Sequence, residues 1–148
     1  MHRHPDGIAV TMSTIIAGWA MGHVMAILST FALTYLALQP GAARFLRRVL
    51  DPEVPGALIA VPISIGTAVL WSMAGLVLAS FYILGDFRSM PDALGAPSGP
   101  WLLLIAALAW LPVPLLWLIS RRHWWLWLGM SGAFVTLFGW AMPLLGRQ

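Results

Sequence analysis

Four long apolar blocks, each closed by Arg, Asp, Pro or Gly, constrain this chain more than any other feature. They run over about 8–38, 55–84, 100–120 and 124–145. A helix needs roughly 20 apolar residues to cross the hydrocarbon core of a bilayer. Inside lipid, only helices and closed barrels satisfy their own backbone hydrogen bonds. The blocks are apolar throughout rather than striped, and they leave no room for a separate soluble domain. The fold expected is therefore all-α: a polytopic membrane protein, a four-transmembrane-helix bundle forming one domain over 1–148. Composition agrees, with 60% hydrophobic and 9% charged residues, against about 25% charged in soluble domains. The chain has no Cys, so disulfides, thiolate metal sites and cysteine nucleophiles are excluded.

The first block is long enough to cross with a turn or two to spare. Its "MHRHPDG" start is mixed in sign and its apolar core is too long for a cleaved signal, so it reads as an uncleaved helix. "LDPEVPG" before the second block is a good helix start, with acids at the positive end of the helix dipole and Pro in the first turn. Only "RRH" divides the third and fourth blocks, which should form a tight antiparallel hairpin.

All eight basic residues are Arg, and they sit at the ends of spans. They read as topology signals rather than a nucleic-acid surface, and no nucleic-acid partner is expected. Arg44, Arg47, Arg48, Arg121 and Arg122 fall in the first and third loops; Arg3, Arg88 and Arg147 fall on the other side, mixed with Asp6, Asp86 and Asp92. That asymmetry favours loops one and three in the cytoplasm and both termini outside it, in a multi-pass protein of the cell membrane. Two aromatic belts fit the same frame: Tyr35, Trp117, Trp124, Trp125 and Trp127 at one interface, and Tyr82, Trp101 and Trp140 at the other.

In loop one, Phe45, Leu46, Val49 and Leu50 share one helical face and Arg44, Arg47 and Arg48 the opposite one. A short interfacial amphipathic helix is expected there. It either anchors the loop or offers the three Arg to anionic lipid or a docking partner. Loop two, "GDFRSMPDALGAPSGP", reads as a cap.

Small residues recur every fourth position in the first block: Thr14, Gly18, Gly22, Ala26 and Thr30, with a GxxxG at its centre. The second block repeats the pattern with Ala60, Ser64, Ala68 and Ser72. The fourth offers Gly129 with Ala133 and Gly132 with Thr136. In lipid, helices associate by close backbone approach rather than by a hydrophobic force, and small residues permit that approach. The helix-packing residues expected are Gly18, Gly22, Ala26, Ser64, Ala68 and Ser72. They serve either packing inside one bundle or an interface between chains. Pro62, Pro112, Pro114 and Pro143 also fall within spans, and each removes an N–H and disturbs the carbonyl four residues earlier.

His23 is the one titratable residue near the middle of a span. Trp19, Thr30 and Thr34 lie on the same side of the helix wheel, so a polar stripe runs toward the end of the first helix. Ionisable groups inside a membrane point to function by default, although an imidazole can remain there as a neutral hydrogen-bonding group. Three roles stay open for His23: a structural bond, a place in a solute path or ligand pocket with Trp19, Thr30 and Thr34, and ligation of haem or metal. The last needs further ligands at the same depth, whereas His2, His4 and His123 belong at or beyond the interfaces.

All five acids map outside the blocks. A proton- or sodium-coupled carrier usually needs an intramembrane carboxylate, and no nucleophile–base pair or phosphate loop stands in the chain. No enzyme activity, catalytic residue, cofactor or metal is expected. The leading expectation is a structural or accessory subunit, with membrane lipids and either copies of itself or another membrane protein as partners. The alternative is a small oligomeric channel or transporter with a path lined by His23, Thr30 and Thr34. A haem- or metal-binding electron carrier is the lesser alternative.

Overall fold

The computed structural model describes residues 5–39, 56–85, 87, 99–111, 113–114 and 121–146. The described chain is all-helical, 94% helix with no strand. Helix α1 spans Pro5–Ala37, α2 Gly56–Leu84 and α3 Gly99–Trp110. A fourth rod opens as a 3-10 turn at Arg121–His123, continues as α4 (Trp124–Phe134), widens into a π-helical segment (Val135–Ala141) and closes as α5 (Met142–Leu145). Three stretches are long and apolar enough to cross a membrane: Thr11–Ala37, Ala60–Leu84 and Arg121–Leu145. With the shorter apolar α3 they make four apolar helical segments, the number expected. Residues 115–120 of the expected third span lie outside the described residues, as does the expected interfacial helix with Arg44, Arg47 and Arg48.

The segments run up and down. Ser13 and Thr14, near the start of α1, donate their hydroxyls to the Gly146 carbonyl at 2.8 and 3.2 Å. At the other end of α1, the Tyr35 ring lies 5.9 Å from His123 and 6.2 Å from Trp125. The fourth rod is therefore antiparallel to α1. Contacts of α1 with α2 pair Gly18 with Gly75 and Thr30 with Thr67, again antiparallel. Trp101 meets Phe138 and Ala109 meets Ser131, which sets α3 antiparallel to the fourth rod.

What faces outward follows helical periodicity. Val61, Ile65, Val69, Met73, Val77 and Phe81 recur every fourth residue along α2, and all are exposed. In water such a stripe would be untenable; against acyl chains it costs nothing. The core is an aromatic and thioether cluster that includes Met25, Tyr82, Trp101, Phe138 and Met142. Tyr82 and Trp101, expected in an interfacial belt, are drawn inward instead. Their rings meet edge-on at 5.1 Å and Phe87 lies against both. At this end of the bundle the space between α2, α3 and the fourth rod is wide enough for whole rings.

The π-helical register and Pro143 together leave the Phe138 carbonyl free for Trp101. The Met142 N–H reaches back to the Leu137 carbonyl, five residues away. In that register the Phe138 carbonyl would be served by residue 143, and a proline has no N–H to give. The carbonyl is instead taken by the Trp101 indole, Nε1 donating at 2.9 Å in a buried site. Neighbouring helices commonly satisfy backbone groups freed by Pro inside a membrane.

Replacing Trp101 by Phe should cost about 1–2 kcal/mol, because a buried acceptor is left unpaired. In a Pro143→Ala background, which returns an N–H to that turn, the same change should cost measurably less. A double-mutant cycle on reversible unfolding in mixed micelles reads the difference. Equal costs in the two backgrounds would sever the link between the proline and the indole.

Candidate functional site

The closest approach in the bundle is backbone against backbone. A Cβ placed on Gly18 would stand 2.5 Å from the Gly75 carbonyl oxygen and 2.6 Å from the Ala79 Cβ. One on Gly22 would run into the Trp71 carbonyl, and one on Gly75 into the Gly18 carbonyl. Only hydrogen fits at these three positions. Cα–H groups then rest on carbonyl oxygens of the facing helix, a contact that adds weak hydrogen bonds to dispersion. Ala17, Ala26 and Ala79 are buried along the same seam. Gly75 carries no mark in the ladder of Ala60, Ser64, Ala68 and Ser72, which are only partly buried. The stripe through Trp71, Gly75 and Ala79 lies three residues further on, about 60° around the helix. The spacing of Gly75 and Ala79, small residues four apart, is the signal that would have found it.

His23 stands at the edge of this seam and is half-buried rather than enclosed. Its Nδ1 lies 3.0 Å from the Trp19 carbonyl of its own helix. A carbonyl can only accept, so that contact assigns the ring proton to Nδ1. The Ser72 hydroxyl of α2 is a longer 3.5 Å from the same nitrogen. The Trp19 ring covers one side of the imidazole, with centroids 4.1 Å apart. Trp19 itself is exposed, between Ile16 and Ile27 on the outward side of α1.

Thr30 is turned toward α2. Its hydroxyl lies 2.7 Å from that of buried Thr67; one of the two donates to the other, and the acceptor's own proton goes to a carbonyl of its helix, Ala26 for Thr30 or Ile63 for Thr67. Thr34 follows one turn later, with its buried hydroxyl unpartnered. The structure thus does not gather Trp19, His23, Thr30 and Thr34 around one space. The first two flank the outer edge of the seam, Thr30 closes it with Thr67, and Thr34 lies beyond. Among the described residues no three His, Asp or Glu side chains gather to hold a metal ion.

A cavity of about 290 Å³ does open between α1, α2, α3 and α4, beside Thr67 and one turn from Thr30. Trp71, Met130 and Phe134 wall it, and Ser29, Trp127 and Ser131 are further lining residues that carry a polar side-chain atom. None of these six residues stood among the expected site residues. Ser29 and Trp127 have no spacing that would single them out; what joins them is the packing of α1 against α4.

Gly129 and Gly132 behave differently from the glycines of α1. A Cβ on either would meet nothing within 4 Å, and both are exposed. Comparison of the chain with family models, curated proteins and solved structures finds no match.

Gly22→Leu and Gly75→Leu should each destabilise the bundle by at least about 3 kcal/mol, the upper end of what overpacking costs. The backbones they separate cannot yield as a flexible side chain can. Thermal unfolding in detergent measures this. If both variants melt with the wild-type protein, α1 and α2 do not cross where the glycines meet.

Proposed function

We propose that this chain is a structural or accessory subunit of the cell membrane, without chemistry of its own, and that it packs through its fourth rod against further copies of itself or another membrane protein. The observation that supports this reading is the contrast between two sets of glycines. Those of the α1–α2 crossing lie against backbone and have no capacity left for a second helix. Gly129 and Gly132 lie open on the least buried of the three long spans. Thr136, one turn from Gly132, bonds the Gly132 carbonyl of its own helix, so this face also presents no unpaired hydroxyl. A smooth strip of this kind permits close approach by a neighbouring helix.

The same reading takes both termini to lie outside the cytoplasm. Ser13, Thr14 and Gly146 share one end of the bundle, and Arg121 and Arg122 stand at the opposite one, beside the end of α1 that holds Tyr35; the Arg asymmetry of the sequence assigns that end to the cytoplasm. A path lined by His23, Thr30 and Thr34 is the alternative. It would have to run between chains, because the Thr30–Thr67 bond closes the seam within one.

Gly129→Leu combined with Gly132→Leu should leave the melting temperature of the isolated chain within the range of a neutral surface change, about 0.5 kcal/mol. The mass of the assembly extracted in mild detergent should fall. Intact-complex mass spectrometry reads it, and an unchanged assembly would remove the fourth rod as the interface. A reporter fused after Gln148 should behave as extracytoplasmic. A cytoplasmic signal there would invert the bundle without touching the packing argument.

A further inference from the structure

Two residues that line the cavity between α1, α2, α3 and α4 carry a buried hydrogen-bonding atom with nothing to bond. Several hydroxyls on these helices turn back to a carbonyl of their own helix: Ser64 to Val61, Ser80 to Leu76 and Thr136 to Gly132. That is the ordinary resort of Ser and Thr where water is absent. Ser29 does not take it. Its side chain is only 6% exposed, and its Oγ has no partner among the described residues. The indole Nε1 of Trp127, across the same cavity, is likewise buried and unpartnered. Among the described residues Thr34 and Tyr82 also carry a buried, unpartnered hydroxyl, but neither lines this cavity; Ser29 and Trp127 both do. Each unmade bond is a cost that a native structure normally avoids.

The lining specifies what would relieve it. An indole N–H only donates and a hydroxyl can donate, so an acceptor on the occupant, such as a carbonyl oxygen, would serve both. No charged side chain lines the cavity, so the occupant is neutral. The rings of Trp71 and Phe134 and the thioethers of Met25 and Met130 form an apolar, polarisable wall suited to a flat group. The volume, about 290 Å³, sits at the lower end for small-molecule sites, roughly twice that of a cavity that holds benzene. It takes one ring or a short chain segment, not a whole lipid. Ser29 is five residues from the centre of the Thr11–Ala37 span. At 1.5 Å per residue that is roughly 7.5 Å from the midplane, within the hydrocarbon core. Leu33, Leu70 and Leu108 line the cavity and are also exposed, so it communicates with the lipid-facing surface.

We propose that this cavity is a binding site for a neutral apolar carbonyl compound that enters from the bilayer, and that the Ser29 hydroxyl and the Trp127 indole turn toward it so that its carbonyl oxygen accepts from both. A quinone-type ring and the ester carbonyl of an acyl lipid share that chemistry. Ring-shaped walls and limited volume favour the ring.

The test uses the full-length protein in nanodiscs of saturated phosphatidylcholine, with a short-chain benzoquinone as probe and thermal stabilisation as readout. The expected result is a saturable rise in melting temperature. Ser29→Ala and Trp127→Phe should each weaken apparent affinity about five- to tenfold, the loss of one hydrogen bond. Each should also leave the probe-free melting temperature unchanged or higher, because no bond is lost when the site is empty. Ala32→Phe, which projects into the cavity, should abolish the response. If the benzoquinone has no effect but a diacyl lipid survives delipidation on the wild type and is lost from Ser29→Ala, the carbonyl comes from a lipid ester and the site stands. If neither ligand binds, or if both conservative variants bind like the wild type, the proposal fails. A probe-free protein destabilised by both variants would likewise overturn it, by making the two groups structural.

Discussion

The contact of the Gly18 and Gly22 backbone with Gly75 and Trp71 sets the spacing from which the rest of the bundle is built. Because only hydrogen separates the two helices there, α1 and α2 stay close along their length. Thr30 is carried to within 2.7 Å of Thr67 twelve residues further up. Trp71, whose carbonyl lies beneath Gly22, is held facing inward, and its ring stacks 6.4 Å from Phe138 and meets Phe134 at 5.8 Å. The fourth rod is thus received by an aromatic surface that the glycine crossing orients. A membrane bundle has no hydrophobic force to gather its helices, so a contact of this kind must come from shape. Widening it by one methyl group would displace the Thr pair, the Trp71 ring and the seat of Phe138 together.

Much of the architecture was legible in the sequence because lipid simplifies the code. Long apolar blocks become helices when no other element can satisfy the backbone, and short loops make neighbours antiparallel. The GxxxG of α1 was legible for the same reason. Its partner was not. The ladder from Ala60 to Ser72 is regular, but Gly75 and Ala79, displaced by about 60° around the helix, face the crossing. A single helix carries no information about which of two small-residue stripes its neighbour will choose. That choice depends on what lies beyond, here Trp71, which needs the interior. The aromatic belts were partly legible. Tyr35 and Trp125 meet near one end, whereas Tyr82 and Trp101 look interfacial in sequence and are enclosed in fact. Amphipathic rings suit an interface and a widened core equally well.

The polar residues of the spans divide by how their hydrogen bonds are met. Several hydroxyls, among them Ser64, Ser80 and Thr136, are turned onto their own helix and cease to be chemically conspicuous. His23 belongs to this group, since its nearest partner is a carbonyl one turn back. The sequence draws attention to His23 because it is titratable; the packing draws attention to Ser29 and Trp127 because they are unsatisfied. These are different physical criteria, and only the second depends on the positions of other helices. A site defined by what is missing around it has no pattern along the chain.

The π-helical segment at Val135–Ala141 has a consequence for the symmetry of the fourth rod. Each turn that holds an extra residue displaces the following helix by about one position, roughly 100° of rotation. Before it α4 has no fully buried residue; within it Phe138 and Gly139 are buried, and after it Met142 and Pro143. The rod is accordingly two half-helices of different phase, joined by a rotational offset. One half is free to be a surface and the other is committed to the interior. A short π-helical segment thereby allows one span to serve two environments at two depths of the same membrane.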